Sequence, residues 1–123
     1  MFLTIKGKVK TGQKRGKKLG FSTINIPVPK SLKSKSWGIY FSLVKIGEKI
    51  YPGVTHLGPV KTFSLRPPTC ETHLLTVKSN LYNKTVEKKL IFRFREVERF
   101  PSIRQLKKQI KKDIQMARRY FGI

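Results

Sequence analysis

The chain has 123 residues, with 28 Lys or Arg against 6 Asp or Glu, a formal net charge of +22. That length supports one domain, residues 1–123, around a single modest core, and no apolar run approaches the roughly 18–20 residues of a membrane span. The charge excludes an ordinary near-neutral surface and points to an anionic partner, either nucleic acid or a phosphate-bearing small molecule.

Residues 2–10, FLTIKGKVK, alternate apolar and polar through Leu3, Ile5 and Val9 and predict a strand. A loop rich in glycine and lysine follows, Thr11 to Gly20, and then a short strand from Phe21 to Ile26, ended by Pro27 and Pro29. Residues 30–36 are a basic, serine-rich loop. Residues 37–55 read as a hairpin, with a buried first strand WGIYFSLVKI and a tight turn at Gly47-Glu48. Residues 58–70, rich in Pro and Gly, are expected to be loop. Strands are predicted at Glu71–Lys78 and Thr85–Glu96, joined by the polar turn Ser79–Lys84. In the last of these Val86, Leu90, Phe92 and Phe94 share one parity, which predicts one buried face. The period changes at Ser102. Ile103, Leu106, Ile110, Ile114 and Ala117 form a helical stripe over about 102–119, with Ser102 and Gln105 as a capping pair and Gly122 beyond the end. Several short strands followed by one amphipathic helix are most economically an all-β, closed or nearly closed antiparallel barrel.

The ionisable residues restrict the chemistry. The acids are Glu48, Glu71, Glu87, Glu96, Glu98 and Asp113, and the histidines are His56 and His73. Cys70 is the only cysteine, so a Cys/His zinc site has too few ligands and no internal disulfide can form. A Ser-His-Asp triad would need Asp113, which the helical pattern places on the outer part of the helix. The opening Met1-Phe-Leu-Thr-Ile-Lys6 is too short and too soon charged for a signal peptide, and a cytoplasmic location is expected.

Three segments carry candidate chemistry. Gly12, Gly16 and Gly20, interleaved with lysines, suit close approach to phosphate, although the spacing is not that of a P-loop, and a plain basic loop is the alternative. Thr23 and Asn25, two apart on a strand, would face one side, where a hydroxyl and an amide oxygen can ligate a hard cation; an ordinary polar face is the alternative. Glu71 is the one acid between Glu48 and Glu87, either a general base at the barrel mouth or a carboxylate relieving local repulsion.

Together these segments resemble the riboflavin kinase family. The resemblance rests on the run from Gly7 to Ile26, on Gly38-Ile39-Tyr40, Tyr51-Pro52-Gly53-Val54, Glu71-Thr72-His73-Leu74-Leu75, Leu81-Tyr82, Arg95 followed by Phe100, and the helix with Leu106, Gln109-Ile110, Asp113 and Ala117-Arg118. It extends over nearly the whole chain and is similar to the kinase domain of bacterial bifunctional riboflavin kinase/FAD synthetases. It implies a six-stranded antiparallel Greek-key barrel with a C-terminal amphipathic helix. The implied reaction transfers the ATP γ-phosphate to the 5′-hydroxyl of riboflavin, giving FMN and ADP. The implied residues are Glu71 as catalytic carboxylate and Thr23 and Asn25 on a divalent cation (Mg²⁺, Zn²⁺ or Mn²⁺). Gly12, Lys17, Thr23, Leu74, Thr76 and Tyr82 would contact the nucleotide, and Arg95 and Phe100 the flavin.

The chain departs from the family pattern where Pro-Thr-Ala-Asn reads Ser22-Thr23-Ile24-Asn25, where His56-Leu57-Gly58 stands for Asn-Ile-Gly, and where Val97 occupies a usual Glu position. It has no H-x-G-H motif and no room for an adenylyltransferase domain, so if it is full length it is expected to stop at FMN; a monomer is also expected. Two rival readings are a basic nucleic-acid-binding barrel, stacking bases on Trp37, Tyr40 or Tyr51, and a flavin-binding barrel that has lost catalysis.

Overall fold

A computed structural model describes residues 3–10, 21–59, 67–78 and 81–123. The expected glycine-lysine loop, with Gly12 and Lys17, lies outside the described residues.

The strands are β1 (Leu3–Lys8), β2 (Ile24–Ile26), β3 (Gly38–Ile46), β4 (Lys49–Gly58), β5 (Thr69–Leu74) and β6 (Thr85–Arg95), followed by one helix, α1 (Ile103–Phe121). All pairings are antiparallel in the order β1-β6-β3-β4-β5-β2. With β2 returning beside β5 and β6 beside β3, the order contains two overlapping Greek keys. The edge strands meet where the Lys10 N–H donates to the Asn25 carbonyl at 2.9 Å, curling the sheet into the expected barrel. The β3–β4 hairpin turns on Gly47-Glu48, where Gly47 takes a φ of 63° that only glycine adopts at little cost. Among the described residues no helix is long and apolar enough to cross a membrane.

The sheet has two buried faces. The inner one collects Ile5, Val9, Ile24, Ile26, Val44, Leu57 and Leu90. The outer one packs Ile39, Phe41, Val54 and Leu75 against Ala117, Ile114 and Phe121 of α1. The helix begins at an N-cap, with the Gln105 N–H donating to Ser102 Oγ at 3.2 Å, and ends where Gly122 turns left-handed at φ 72°.

Several expectations shift. β2 starts at Ile24 rather than Phe21, so Thr23 precedes the strand. β5 starts two residues before Glu71, because Thr69 and Cys70 pair with Gly58 and Leu57, and it ends at Leu74, after which the Leu75 carbonyl is taken by Arg118 at 2.9 Å. In β6 the single-parity reading fails. Phe41 pairs with Phe92 but Ser42 with Leu90, so Ile91 is an extra residue that moves Phe92 and Phe94 to the outer face. The inner position between Val86 and Leu90 belongs to Lys88, which is fully buried. On α1 the buried positions are Asp113 and Ala117, and Ile103 is half exposed. Asp113 therefore points inward, drawn there by an ion pair with Arg95.

Candidate active site

The site is built on the outer face where β4, β5 and β2 lie side by side. Residues directly opposite in antiparallel neighbours share a face, with Cβ atoms roughly 4.5–5.5 Å apart. His56 on β4 is opposite Glu71 on β5, and Glu71 is opposite Asn25 on β2. The three make one polar row across the sheet. Both Glu71 and Asn25 are buried, at 8% and 5% exposure. Thr69 Oγ1 donates to Glu71 Oε2 at 3.1 Å, and His56 Nε2 lies 3.1 Å from the Gly58 carbonyl. Asn25 Oδ1 has no hydrogen-bond partner among the described residues. A buried acceptor left in this state costs about 1–3 kcal/mol. An amide oxygen of this kind beside a carboxylate is a set of hard oxygen donors suited to a divalent cation.

Thr23 is half-buried at the entry to β2. With Ser22, Ile24, Thr72, Leu74 and Val77 it lines a shallow depression at the end of the barrel. The same end is anchored by His73, whose Nδ1–H donates to the Ser22 carbonyl at 3.0 Å and whose ring meets Phe21 edge-on at 6.0 Å. Burial pushes the His73 pKa below its ordinary value, and the Ser22 bond opposes this. Thus Leu74 and Thr23 line the same depression, and Asn25, two residues on from Thr23, stands opposite Glu71. Thr76 lies exposed just past β5, and Tyr82 lies exposed in the turn before β6.

The expected flavin side is held by α1. Arg95 donates through Nε and Nη2 to the two oxygens of Asp113, at 2.9 and 2.6 Å, and through Nη1 to the Glu96 carbonyl at 3.0 Å. Gln109 donates to Asp113 Oδ1 at 2.9 Å. The Arg95 guanidinium carbon lies 6.0 Å from the Phe100 ring centre, so both residues stand together. Arg95 also stands opposite Ile39, which is itself opposite His56, so the polar row and the arginine share one face.

Two features escape a sequence reading centred on motifs. Lys88 Nζ, inside the barrel, donates to the carbonyls of Ile24 and Cys70 at 2.9 Å each, tying β2 to β5 next to the Asn25–Glu71 pair. Burial lowers the Lys88 pKa and raises that of the Cys70 thiol, which the Lys88 charge opposes. The parity of Val86 and Leu90 signals this position. The second feature is the Asp113 anchor, which the apolar stripe conceals.

The sequence model of the riboflavin kinase family (Flavokinase) matches residues 2–121. The chain belongs to this family. The bifunctional riboflavin kinase/FMN adenylyltransferase of Escherichia coli strain K12 is 35% identical over 120 residues, covering 97% of this chain and 38% of the relative. The chain therefore spans about two fifths of the length of such relatives. Among solved structures, one described as a macrolide-efflux protein from Streptococcus pneumoniae superposes with TM-score 0.79 at 27% identity, over 94% of this chain and 38% of that one. The riboflavin kinase of Trypanosoma brucei superposes with TM-score 0.63 at 23% identity, over 98% and 80%, and shares the fold.

Proposed function

We propose that this chain transfers the γ-phosphoryl group of ATP to the 5′-hydroxyl of riboflavin, giving FMN and ADP. The observation that carries the reading is the Asn25–Glu71 register pair, a buried carboxylate beside an unsatisfied buried amide oxygen, within a chain of this family. In the reaction the 5′-oxygen bonds to the γ-phosphorus, the bond from that phosphorus to the β,γ-bridging oxygen breaks, and the hydroxyl proton passes to Glu71. Thr23 and Asn25 would hold a divalent cation (Mg²⁺, Zn²⁺ or Mn²⁺) on neutral oxygens, and when bound it would offset the phosphate charge. Gly12, Lys17, Leu74, Thr76 and Tyr82 are the nucleotide side of the reading. Arg95 and Phe100 are the flavin side, and Asp113 is a positioning residue that keeps the guanidinium beside the Phe100 ring. Positioning and electrostatic stabilisation supply most of the rate in such a site. The same reading takes residues 1–123 as one catalytic unit, a monomer working in the cytoplasm, where its nucleotide substrate is plentiful.

The deciding experiment incubates the chain with riboflavin and MgATP and resolves the flavins by chromatography. FMN accumulating in step with ADP is the expected result. No FMN from correctly folded protein at micromolar concentration overturns the proposal.

A further inference from the structure

The outer surface of α1 carries charge of one sign. Arg104, Lys107, Lys108, Lys111 and Lys112 are all exposed, and the helix's one acid, Asp113, is buried against Arg95. Arg104 and Lys108, Lys108 and Lys112, and Lys107 and Lys111 each stand four residues apart, where like charges repel across one turn. The first helical turn also has no acid to meet the positive end of the helix dipole. The helix folds in spite of these terms, so a polyanion laid along it would relieve them.

The cationic line ends in aromatic rings. Lys108, Lys112, Met116 and Tyr120 follow one another at four-residue intervals in one inclined row, about 18 Å along the axis and roughly 120° around it, from the solvent side to the flank that meets β3. Tyr120 is 50% exposed, and Phe92, turned outward by the Ile91 bulge, is 53% exposed. Their rings are within 7° of parallel, with centres 6.4 Å apart. Both stack on the buried Phe41, at 4.5 Å for Tyr120 and 6.0 Å for Phe92. Phe41 is further braced by Phe94 at 4.2 Å. Two exposed, nearly parallel rings on a fixed buried base form a rigid stacking platform, and Arg119 is exposed beside it. The aromatics that the sequence alone suggests for such a role are elsewhere. Tyr40 is buried, with its hydroxyl donating to the Ser36 carbonyl at 2.6 Å, and Trp37 and Tyr51 are half-buried.

We propose that the outer face of α1 and the Phe92–Tyr120 platform bind single-stranded RNA, the lysines and arginines following the phosphates and the rings stacking unpaired bases. Cations alone would take any polyanion; exposed parallel rings at the end of the track select a chain with unpaired bases. The rings lie away from the proposed catalytic carboxylate, while Arg95 of the flavin side stands further along β6. β3 and β4 lie between β6, which carries Phe92, and β5, which carries Glu71, so three strand spacings of roughly 14 Å part them.

The test is fluorescence anisotropy of a labelled 12-nucleotide single-stranded RNA with the full chain, from 20 to about 300 mM KCl. The expected result is saturable binding whose logarithm falls linearly with the logarithm of salt. Phe92→Ala with Tyr120→Ala weakens it about tenfold or more at every salt concentration and leaves the slope alone. Lys108→Gln with Lys112→Gln flattens the slope by about 1.4. Riboflavin phosphorylation stays unchanged in both variants; the melting temperature is unchanged in the lysine variant and falls by several degrees in the ring variant, which loses its stacking on Phe41 but remains folded at the assay temperature. Absence of saturable binding at low salt overturns the proposal. So does a duplex of equal length binding as tightly with the ring substitutions having no effect, or polyglutamate or anionic phosphatidylserine vesicles displacing the RNA as effectively as unlabelled RNA.

Discussion

Adjacent polar rows on the two faces of the same sheet differ in one respect. On the inner face Ser42, Thr55 and Thr72 run across β3, β4 and β5 as a chain of hydroxyls, 2.7 and 2.6 Å apart, all fully buried. One residue along, on the outer face, His56, Glu71 and Asn25 run across β4, β5 and β2, and the row ends in an amide oxygen with no partner among the described residues. The inner row is closed: each hydroxyl meets a neighbour. The outer row is open at the end where a ligand would complete it. Buried polar groups in folded proteins are nearly always satisfied, so the exception is what supports placing the proposed site on this face of the sheet.

That contrast can be broken in several ways. Glu71→Gln should lower turnover about a hundredfold or more while the melting temperature barely moves, measured by FMN formation and thermal denaturation. A near-normal rate would remove Glu71 from its role. Thr23→Val should weaken MgADP at least tenfold by calorimetry, since one hard oxygen donor is lost. Unchanged affinity would confine the cation site to other residues. Asp113→Ala should cost about 3 kcal/mol of stability in denaturant titration, because it strands the partly buried Arg95 guanidinium. It should also raise the KM for riboflavin more than it lowers kcat, as a positioning role requires. On the inner row, Thr55→Val orphans Ser42 and Thr72 together and should cost roughly 1–3 kcal/mol, with kcat unaffected.

The smallest effect concerns pH. Burial lowers the His73 pKa, so the folded chain binds fewer protons than the unfolded one just below pH 6.5. Stability should therefore be complete above that value and fall as the pH drops from 6.5 toward the lowered folded pKa. Melting temperatures between pH 7 and 5 measure this, and His73→Gln should flatten the dependence.

Much of the architecture is legible from pattern. Alternation marks the strands, Gly47-Glu48 the hairpin, and Ser102 with Gly122 the ends of α1, because each is a local preference that tertiary contacts here reinforce. The bulge at Ile91 is invisible to alternation, since one extra residue reverses the parity of Phe92 and Arg93 until a second register shift brings Arg95 opposite Ile39, and so Phe92 reads as core when it faces solvent. Asp113 misleads for the opposite reason. A carboxylate on a lysine-rich helix reads as surface, and an arginine brought from β6, together with Gln109, makes its burial tolerable.

The candidate site divides in the same manner. Thr23, Asn25, Glu71, Arg95 and Phe100 stand out as residue types in a recognisable order, because chemistry needs those groups whatever holds them. That Asn25 and Glu71 stand opposite each other, that Thr23 and Leu74 line one depression, and that Lys88 ties β2 to β5 from within depend on register between segments about 20 to 65 residues apart in the chain. Register of that range is set by which side chains fill the barrel, a collective packing outcome that no short stretch of sequence encodes.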